Sequence, residues 1–267
     1  MTVIATNKLA AVDFVAPRLD PVQGVLAAVD WQQTTGPSRF LDSGVLVQRT
    51  NFDGDTGYAE WNEAWNATAQ AVSQTKEGDR PDRDDTPFIA TTAYAYAKNP
   101  CGDLRAVTRE DTVERSQALL ARSYHRTVAT KLAVRFAADI TAESIPAQAA
   151  ADVIVAISNL EASIADAEVN FAYIHLAPKH AAALVAARLV QLRADGWHTP
   201  LNHLLVFDSG YAGTLGQKLV ATTQLYGWKS PVADYAEITH STNEFISIHE
   251  QSTLLAYEQV LAQTTLP

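Results

Sequence analysis

Between Gly102 and Gly196 the chain has no glycine, and only Pro146 and Pro178 interrupt it. Glycine and proline are the strongest local breakers of regular backbone, so this stretch reads as helix-rich. The flanks, where both residues recur, read as loops and strands. Within the stretch, Thr108 to Ala138 forms the strongest element. Thr108 and Asp111, three residues on, make an N-terminal capping arrangement. Val113, Leu120, Tyr124, Val128, Leu132 and Phe136 recur at spacings of seven and four, which keeps them on one slowly drifting stripe. Arg115, Arg122, Arg126, Lys131 and Arg135 lie off it. At about 1.5 Å per residue the helix would be roughly 45 Å long, which fits a spine better than a compact domain.

A second unit begins after Pro146. Ala150, Val153, Ile154, Ile157, Leu160 and Ile164 predict a helical face, and Asn170 to Leu176 a strand. Pro178 can open a further helix at its first position. Ala181, Ala182, Val185, Leu189 and Leu192 supply its apolar face, with Arg188 at the edge and Gly196 as its stop. The strand Leu204–Phe207 and the loop Asp208–Gly213 follow. This alternation marks an α/β lobe over about 146–226.

The flanks are different in kind. Pro17 and Pro21 around Arg18-Leu19-Asp20 favour an extended arm, and Val22 to Trp31 has room for a short helix. Gly44–Arg49 looks like a strand, and Asn51-Phe52-Asp53-Gly54-Asp55 carries Asp-Gly turn chemistry. The charged run from Lys76 to Asp85 cannot be core, and Phe88 to Ala97 returns as a β-prone run. Phe88, Tyr94 and Tyr96 share a parity, which predicts one packed strand face. Two strand-like runs around a polar excursion suggest a long projecting hairpin, a shape useful mainly to a subunit lying on a neighbour. Its charged residues Lys76, Glu77, Asp79, Arg80, Arg83, Asp84 and Asp85 are the candidate inter-subunit contacts. Val232–Ile238 and Phe245–Tyr257 predict closing strands, with Asn243 serving the turn between them.

Composition narrows the function classes. A net charge of -10 speaks against a dedicated nucleic-acid binder, and 47% hydrophobic residues suffice for a real core. The single cysteine, Cys101, excludes intramolecular disulfides and cysteine-rich metal sites. No leader pattern opens the chain and no apolar run approaches bilayer length, so a cytosolic origin without membrane association is expected.

Catalytic motifs are weak. His175 and His180 are five apart, as are His198 and His203, whereas a helical metal pair would be four apart. Gly210 to Lys218 follows a strand as a phosphate loop does. Its lysine, however, is not directly preceded by glycine, and Leu219 stands where a magnesium-binding hydroxyl belongs. Asp53, Asp55 and Glu60 lack the spacing of a helix-loop-helix calcium site. Cys101, between Asn99-Pro100 and Gly102, falls in a turn with no identifiable partner. No cofactor and no catalytic residue is expected.

The order of elements resembles the Hong Kong ninety-seven-type coat fold, shared by tailed-phage major capsid proteins and encapsulins. Local sequence is similar above all to coat proteins of phages of actinobacteria: Pro87-Phe88; Ile174-His175 followed by Ala177-Pro178; Gly210-Tyr211-Ala212-Gly213; Pro231-Val232; Asn243; and Glu250 to Tyr257. Gln251 departs from the group, where arginine is common, and an expected cysteine near the end is missing.

The resemblance implies an α+β phage coat fold. Its parts would be an N-terminal arm (1–37), an extended β-hairpin loop (38–103), a peripheral domain with the spine helix (104–145), an α/β axial domain (146–226) and peripheral closing strands (227–267). It implies a non-enzymatic subunit of the virion that self-assembles into hexamers and pentamers of an icosahedral capsid. Such a shell encloses DNA without sequence-specific binding. A portal and a separate scaffolding protein would be partners, with a decoration protein as a further one, and removal of an N-terminal segment is not expected. In some members a hairpin lysine bonds covalently to an asparagine of the neighbouring subunit; Lys76 and Asn243 are the conceivable pair, though the expectation here is no crosslink. Two alternatives stay open: an encapsulin-like nanocompartment shell, and an α/β metal-dependent enzyme using His175 and His180.

Overall fold

The computed structural model describes residues 24–32, 39–48, 86–101, 108–239 and 241–267. A 3-10 turn, Gly24–Ala28, leads to β1 (Asp30–Trp31) and α1 (Arg39–Ser43). Then come β2 (Thr91–Pro100) and the long helix α2 (Arg109–Ala142). After these follow β3 (Ala147–Ala149), α3 (Val153–Asp166), β4 (Tyr173–Leu176) and α4 (Ala181–Ala186). The remainder is strand: β5 (Gln191–Arg193), β6 (Gly196–His198), β7 (Leu204–Phe207), β8 (Lys218–Thr222), β9 (Tyr226–Lys229), β10 (Ala233–Thr239), β11 (Glu244–Ala256) and β12 (Val260–Thr265).

The helix starts follow from their caps. Thr108 and Asp111 form a reciprocal capping box that satisfies two amides at the head of α2. Asp152 accepts from the amides of Ile154 and Val155 at the head of α3, both at 2.9 Å. With 34 residues, α2 spans about 51 Å.

The strands form two sheets. In the five-stranded one, β11 is the axis: β2 pairs along one edge, while β10 and then β9 pair along the other, and β1 joins β9 in parallel. Pro231 has no amide hydrogen and falls at the break between β9 and β10. The seven-stranded sheet runs β3-β12-β8-β4-β7-β6-β5 and is mixed, with β4–β7 and β3–β12 parallel.

Both faces of the seven-stranded sheet are covered, so β4 is buried at every position. Ile174, Leu176, Leu205, Leu219 and Ala221 pack with the buried face of α3. Tyr173, Leu204, Val206 and Val220 face the opposite way, into a core shared with Ala129, Leu132, Ala133 and Phe136 of α2. The five-stranded sheet packs the N-terminal half of α2 through Ala93 and Ala97 of β2 and alternate residues of β11, including Ser247 and Thr253.

Three expectations are corrected. The helix opened by Pro178 stops at Ala186 rather than near Gly196. Arg188 takes a left-handed φ of 56°, the Leu189 amide bonds back to the Leu184 carbonyl at 3.2 Å, and residues 191–198 form a hairpin instead. Leu184 is the buried residue of that helix, whereas Leu192, assigned to its apolar face, is exposed.

Tyr94 and Tyr96 are exposed while Phe88 is buried, because β2 turns its small alanines to α2 and its tyrosines away. Small residues allow the close helix-to-strand approach that tyrosine would block. Finally, the closing strands divide, with β12 joining β8 and β3 in the seven-stranded sheet. Of the Gly44–Arg49 run, Val45 bridges Phe88 in the antiparallel sense, and Gly44 at φ 76° lies so close to the Phe88 carbonyl that a Cβ would meet it at 2.6 Å.

Candidate functional site

The seven charged contact candidates Lys76, Glu77, Asp79, Arg80, Arg83, Asp84 and Asp85 lie outside the described residues, as do Asp53, Asp55 and Glu60. What the structure brings together is a set of short motifs far apart in sequence. They meet on α2 between Arg126 and Asp139, where buried polar groups are matched with one another; only the buried Nδ1 of neighbouring His125 has no hydrogen-bond partner among the described residues.

At one end, Asp208 ties the Gly24–Ala28 turn to its own loop. Its Oδ2 accepts from the Val25 amide at 2.8 Å and its Oδ1 from the Gly210 amide at 2.7 Å. Burial raises its pKa above the usual carboxylate value, and the two amides oppose that shift. Gly24 has φ 48°, and a Cβ there would fall 1.9 Å from Asp208 Oδ2, so glycine is required. Gly210 lies directly against α2, where a Cβ would stand 2.7 Å from both Ala129 Cβ and the Arg126 carbonyl. The glycine-rich turn is therefore a docking joint.

Next to it, His175 is wholly buried with both nitrogens engaged: Nδ1 to the Tyr211 hydroxyl at 2.9 Å and Nε2 to Thr222 Oγ1 at 3.0 Å. The Thr222 hydroxyl donates to the Thr223 carbonyl, so it must accept from Nε2–H, which leaves Nδ1 to accept from Tyr211. Burial pushes His175 down to about 3 and the Tyr211 phenol well up, which keeps the histidine neutral and the tyrosine a donor. The Phe136 ring packs on His175 at 4.6 Å. Thus the Ile174-His175 and Gly210-Tyr211 motifs are halves of one hydrogen-bonded chain.

At the other end, the Tyr257 hydroxyl donates to Asp139, and burial together with that carboxylate raises its pKa. Arg135 bonds Asp139 through Nε at 2.9 Å. Tyr257 meets Phe88 edge-on at 5.0 Å and Phe136 at 5.2 Å. Pro87-Phe88 and the Glu250–Tyr257 run are joined in this way.

Chemically this centre is saturated rather than reactive. His175 has no free lone pair to offer a metal, which leaves His180 without its paired ligand. His198 is held by Asp195 at 3.0 Å, and His203 Nδ1 accepts from the Ala172 amide at 3.3 Å. Among the described residues no three His, Cys, Asp or Glu side chains converge on a common point. Sequence reasoning missed Asp208, Thr222, Arg135 and Asp139 as members of the centre; only Asp208, in an Asp-Ser-Gly turn, carried a local signal.

One open groove lies on the outside, lined by Tyr94, Tyr96, Leu119, Arg122, Ser123 and Arg126. It runs between β2 and the N-terminal half of α2.

No family model matches the sequence, and no curated protein does. Solved structures do match. A protein of Mycobacterium phage Che8 is similar at 12% identity and a TM-score of 0.57, over 98% of this chain and 98% of that one. The capsid of Ralstonia phage GP4 is similar at 10% identity and a TM-score of 0.57, covering 100% and 97%. The holo-SrpI encapsulin complex of Synechococcus elongatus is similar at 9% identity and a TM-score of 0.55, covering 100% and 95%. The likeness is one of fold: the chain has the phage capsid architecture of the Hong Kong ninety-seven type, an α+β fold that encapsulins share.

Proposed function

We propose that this chain is the shell-forming subunit of a tailed-bacteriophage capsid. Copies of it assemble into hexamers and pentamers, which close an icosahedral shell around phage DNA, and the assembled protein is part of the virion. One observation carries this reading. The likeness to phage and capsid proteins runs from end to end, 98% of both chains in the Che8 case, so it takes in both sheets and the long helix together. The saturated centre supports it too, since a subunit bearing load across a shell needs its layers tied to one another and does not need a reactive cleft.

Within the shell, the 146–226 lobe would occupy the capsomer centre and α2 with the closing strands the periphery. The arm (1–37) and the hairpin (38–103) would reach neighbours, with the charges from Lys76 to Asp85 making contacts there. A portal and a separate scaffold are expected partners. The deciding measurement is electron microscopy of the purified protein together with its mass in solution. Closed particles of megadalton mass are expected; a monomer or small oligomer under all conditions would overturn the reading.

The encapsulin complex among the similar structures favours a second reading, a nanocompartment shell. The contents of purified particles separate the two, DNA for a virion and a cargo protein for a nanocompartment.

A further inference from the structure

From Arg115 to Ala138, α2 carries five cationic side chains and no carboxylate, although the whole chain has 30 acidic residues against 20 basic ones. Arg115, Leu119, Arg122 and Arg126 follow one another at four, three and four residues, so they share a stripe on the exposed side of the helix. None of these arginines, nor Lys131, makes an ion pair with another described residue. Beside them stand Tyr94 and Tyr96, 67% and 58% exposed, across the groove from Arg122 and Arg126. Arg122 and Arg126 therefore line the helix side of the groove and face solvent, on a helix whose other side is buried, with the edge of β2 as the groove's other wall.

We propose that this face binds the phosphate backbone of a nucleic acid without reading its sequence. In the shell reading, on which the identity of the ligand rests, this puts the α2 stripe on the side of the subunit that meets packaged DNA. Arg122 and Arg126 are one helical turn apart, about 6 Å by rise, and each presents a planar fork of donors suited to phosphate oxygens. An acidic net charge does not forbid this. At about 0.1 M salt, fields are screened beyond roughly 10 Å, so a strand on the stripe feels the local arginines more than distant carboxylates. The expected interaction is weak and salt-sensitive, a contact that lets packed DNA slide.

The test uses the purified full-length subunit, a labelled random-sequence DNA duplex and a single strand of the same length, with anisotropy read over a salt series. Wild type should bind at low salt, with a linear fall of log K against log salt. Arg122→Gln/Arg126→Gln should make that slope shallower by about two, one per lost phosphate contact. Lys218→Gln/Arg193→Gln, which removes the same charge elsewhere, should leave it unchanged. Absence of low-salt binding by wild type, an unchanged slope in the stripe variant, or an equal change in the control would overturn the assignment. So would a stripe variant that binds DNA normally but no longer forms particles, since the face would then be a contact between copies. If the variant loses its cooperative thermal transition, Arg122→Lys/Arg126→Lys replaces it. That pair retains charge without the fork and should weaken binding with the slope kept; unaltered affinity would count against the guanidinium contacts. Particle formation by wild type is scored separately, so failure of the shell reading is seen independently of DNA binding.

Discussion

The guanidinium of Arg135 lies over the ring of Phe88, 4.3 Å from its centroid, and its Nη1 donates to the Pro87 carbonyl at 3.2 Å. The same side chain bonds Asp139, which in turn receives the Tyr257 hydroxyl. One arginine on α2 thus clamps the segment entering β2 to the strand end that leads into β12.

Lysine keeps the charge but loses the flat stack and the fan of donors. Arg135→Lys should therefore cost about 1–3 kcal/mol, the usual range for a stacked cation and its charge-assisted bonds. Urea unfolding of the unassembled subunit measures it. A midpoint equal to wild type would mean that the clamp contributes nothing.

Gly210 and Gly213 belong to one short motif but should behave differently on substitution. A Cβ at Gly210 collides with Ala129 and with the α2 backbone at 2.7 Å, whereas at Gly213 nothing lies within 4 Å. Gly210→Ala should lose about 1–3 kcal/mol by overpacking, and Gly213→Ala should be neutral within about 0.5 kcal/mol. Thermal melts of the two variants side by side check this, and equal effects would contradict the docking role of the turn.

Much of the fold was legible because its signals are local. The Thr108–Asp111 box and the seven-and-four spacing located α2, and the Asn243 turn falls between β10 and β11 with the asparagine at φ 53°. The saturated centre was not legible as a unit. His175 meets Tyr211 and Thr222 across three strands and a turn, and Phe88 meets Arg135 across 47 positions, so only three-dimensional packing unites them. The parity of Phe88 with Tyr94 and Tyr96 misled for a related reason. Residue size decided which face of β2 could approach a helix, and alternation alone is blind to that.

Burial of His175 makes stability depend on pH in a defined direction. The unfolded imidazole titrates near 6.5 and the folded one at about 3. Between these values the unfolded chain holds a proton that the folded chain lacks, so stability falls as pH drops from 6.5 towards 3. The slope is about 1.4 kcal/mol per pH unit and vanishes above 6.5. His180 and His203, also lowered by burial, act in the same sense. Asp208, raised by burial, acts in the opposite one, because its folded form keeps a proton that the unfolded form releases. His175→Gln isolates the histidine: the variant should be less stable at neutral pH yet lose stability with acid less steeply, by about 1 kcal/mol per pH unit. Parallel wild-type and variant curves would show that the ring is not the titrating group.

The glycine-free stretch from 103 to 195 conceals how its helices end. After α2, α3 and α4 the chain turns through Ser144, Glu168 and Arg188, at φ 55°, 56° and 56°. In each case the next amide bonds back to a carbonyl five residues earlier: Ile145 to Ile140, Val169 to Ile164 and Leu189 to Leu184. This is the cap that glycine usually makes, built three times without it. The absence of glycine therefore says nothing about where these helices stop, which is why α4 reads as too long in the sequence. Each of the three residues bears a left-handed conformation that costs an L side chain about 1–2 kcal/mol, partly offset by the greater entropy glycine has when unfolded. Ser144→Gly, Glu168→Gly and Arg188→Gly should each stabilise the subunit by about 0.5–1 kcal/mol and should add when combined, since they cap different helices. Ala137→Gly, on the exposed side of α2, should instead destabilise by about 1 kcal/mol. Chemical unfolding of the four variants tests the pattern. Destabilisation at all four positions would mean that the three turns do not hold their left-handed geometry in solution.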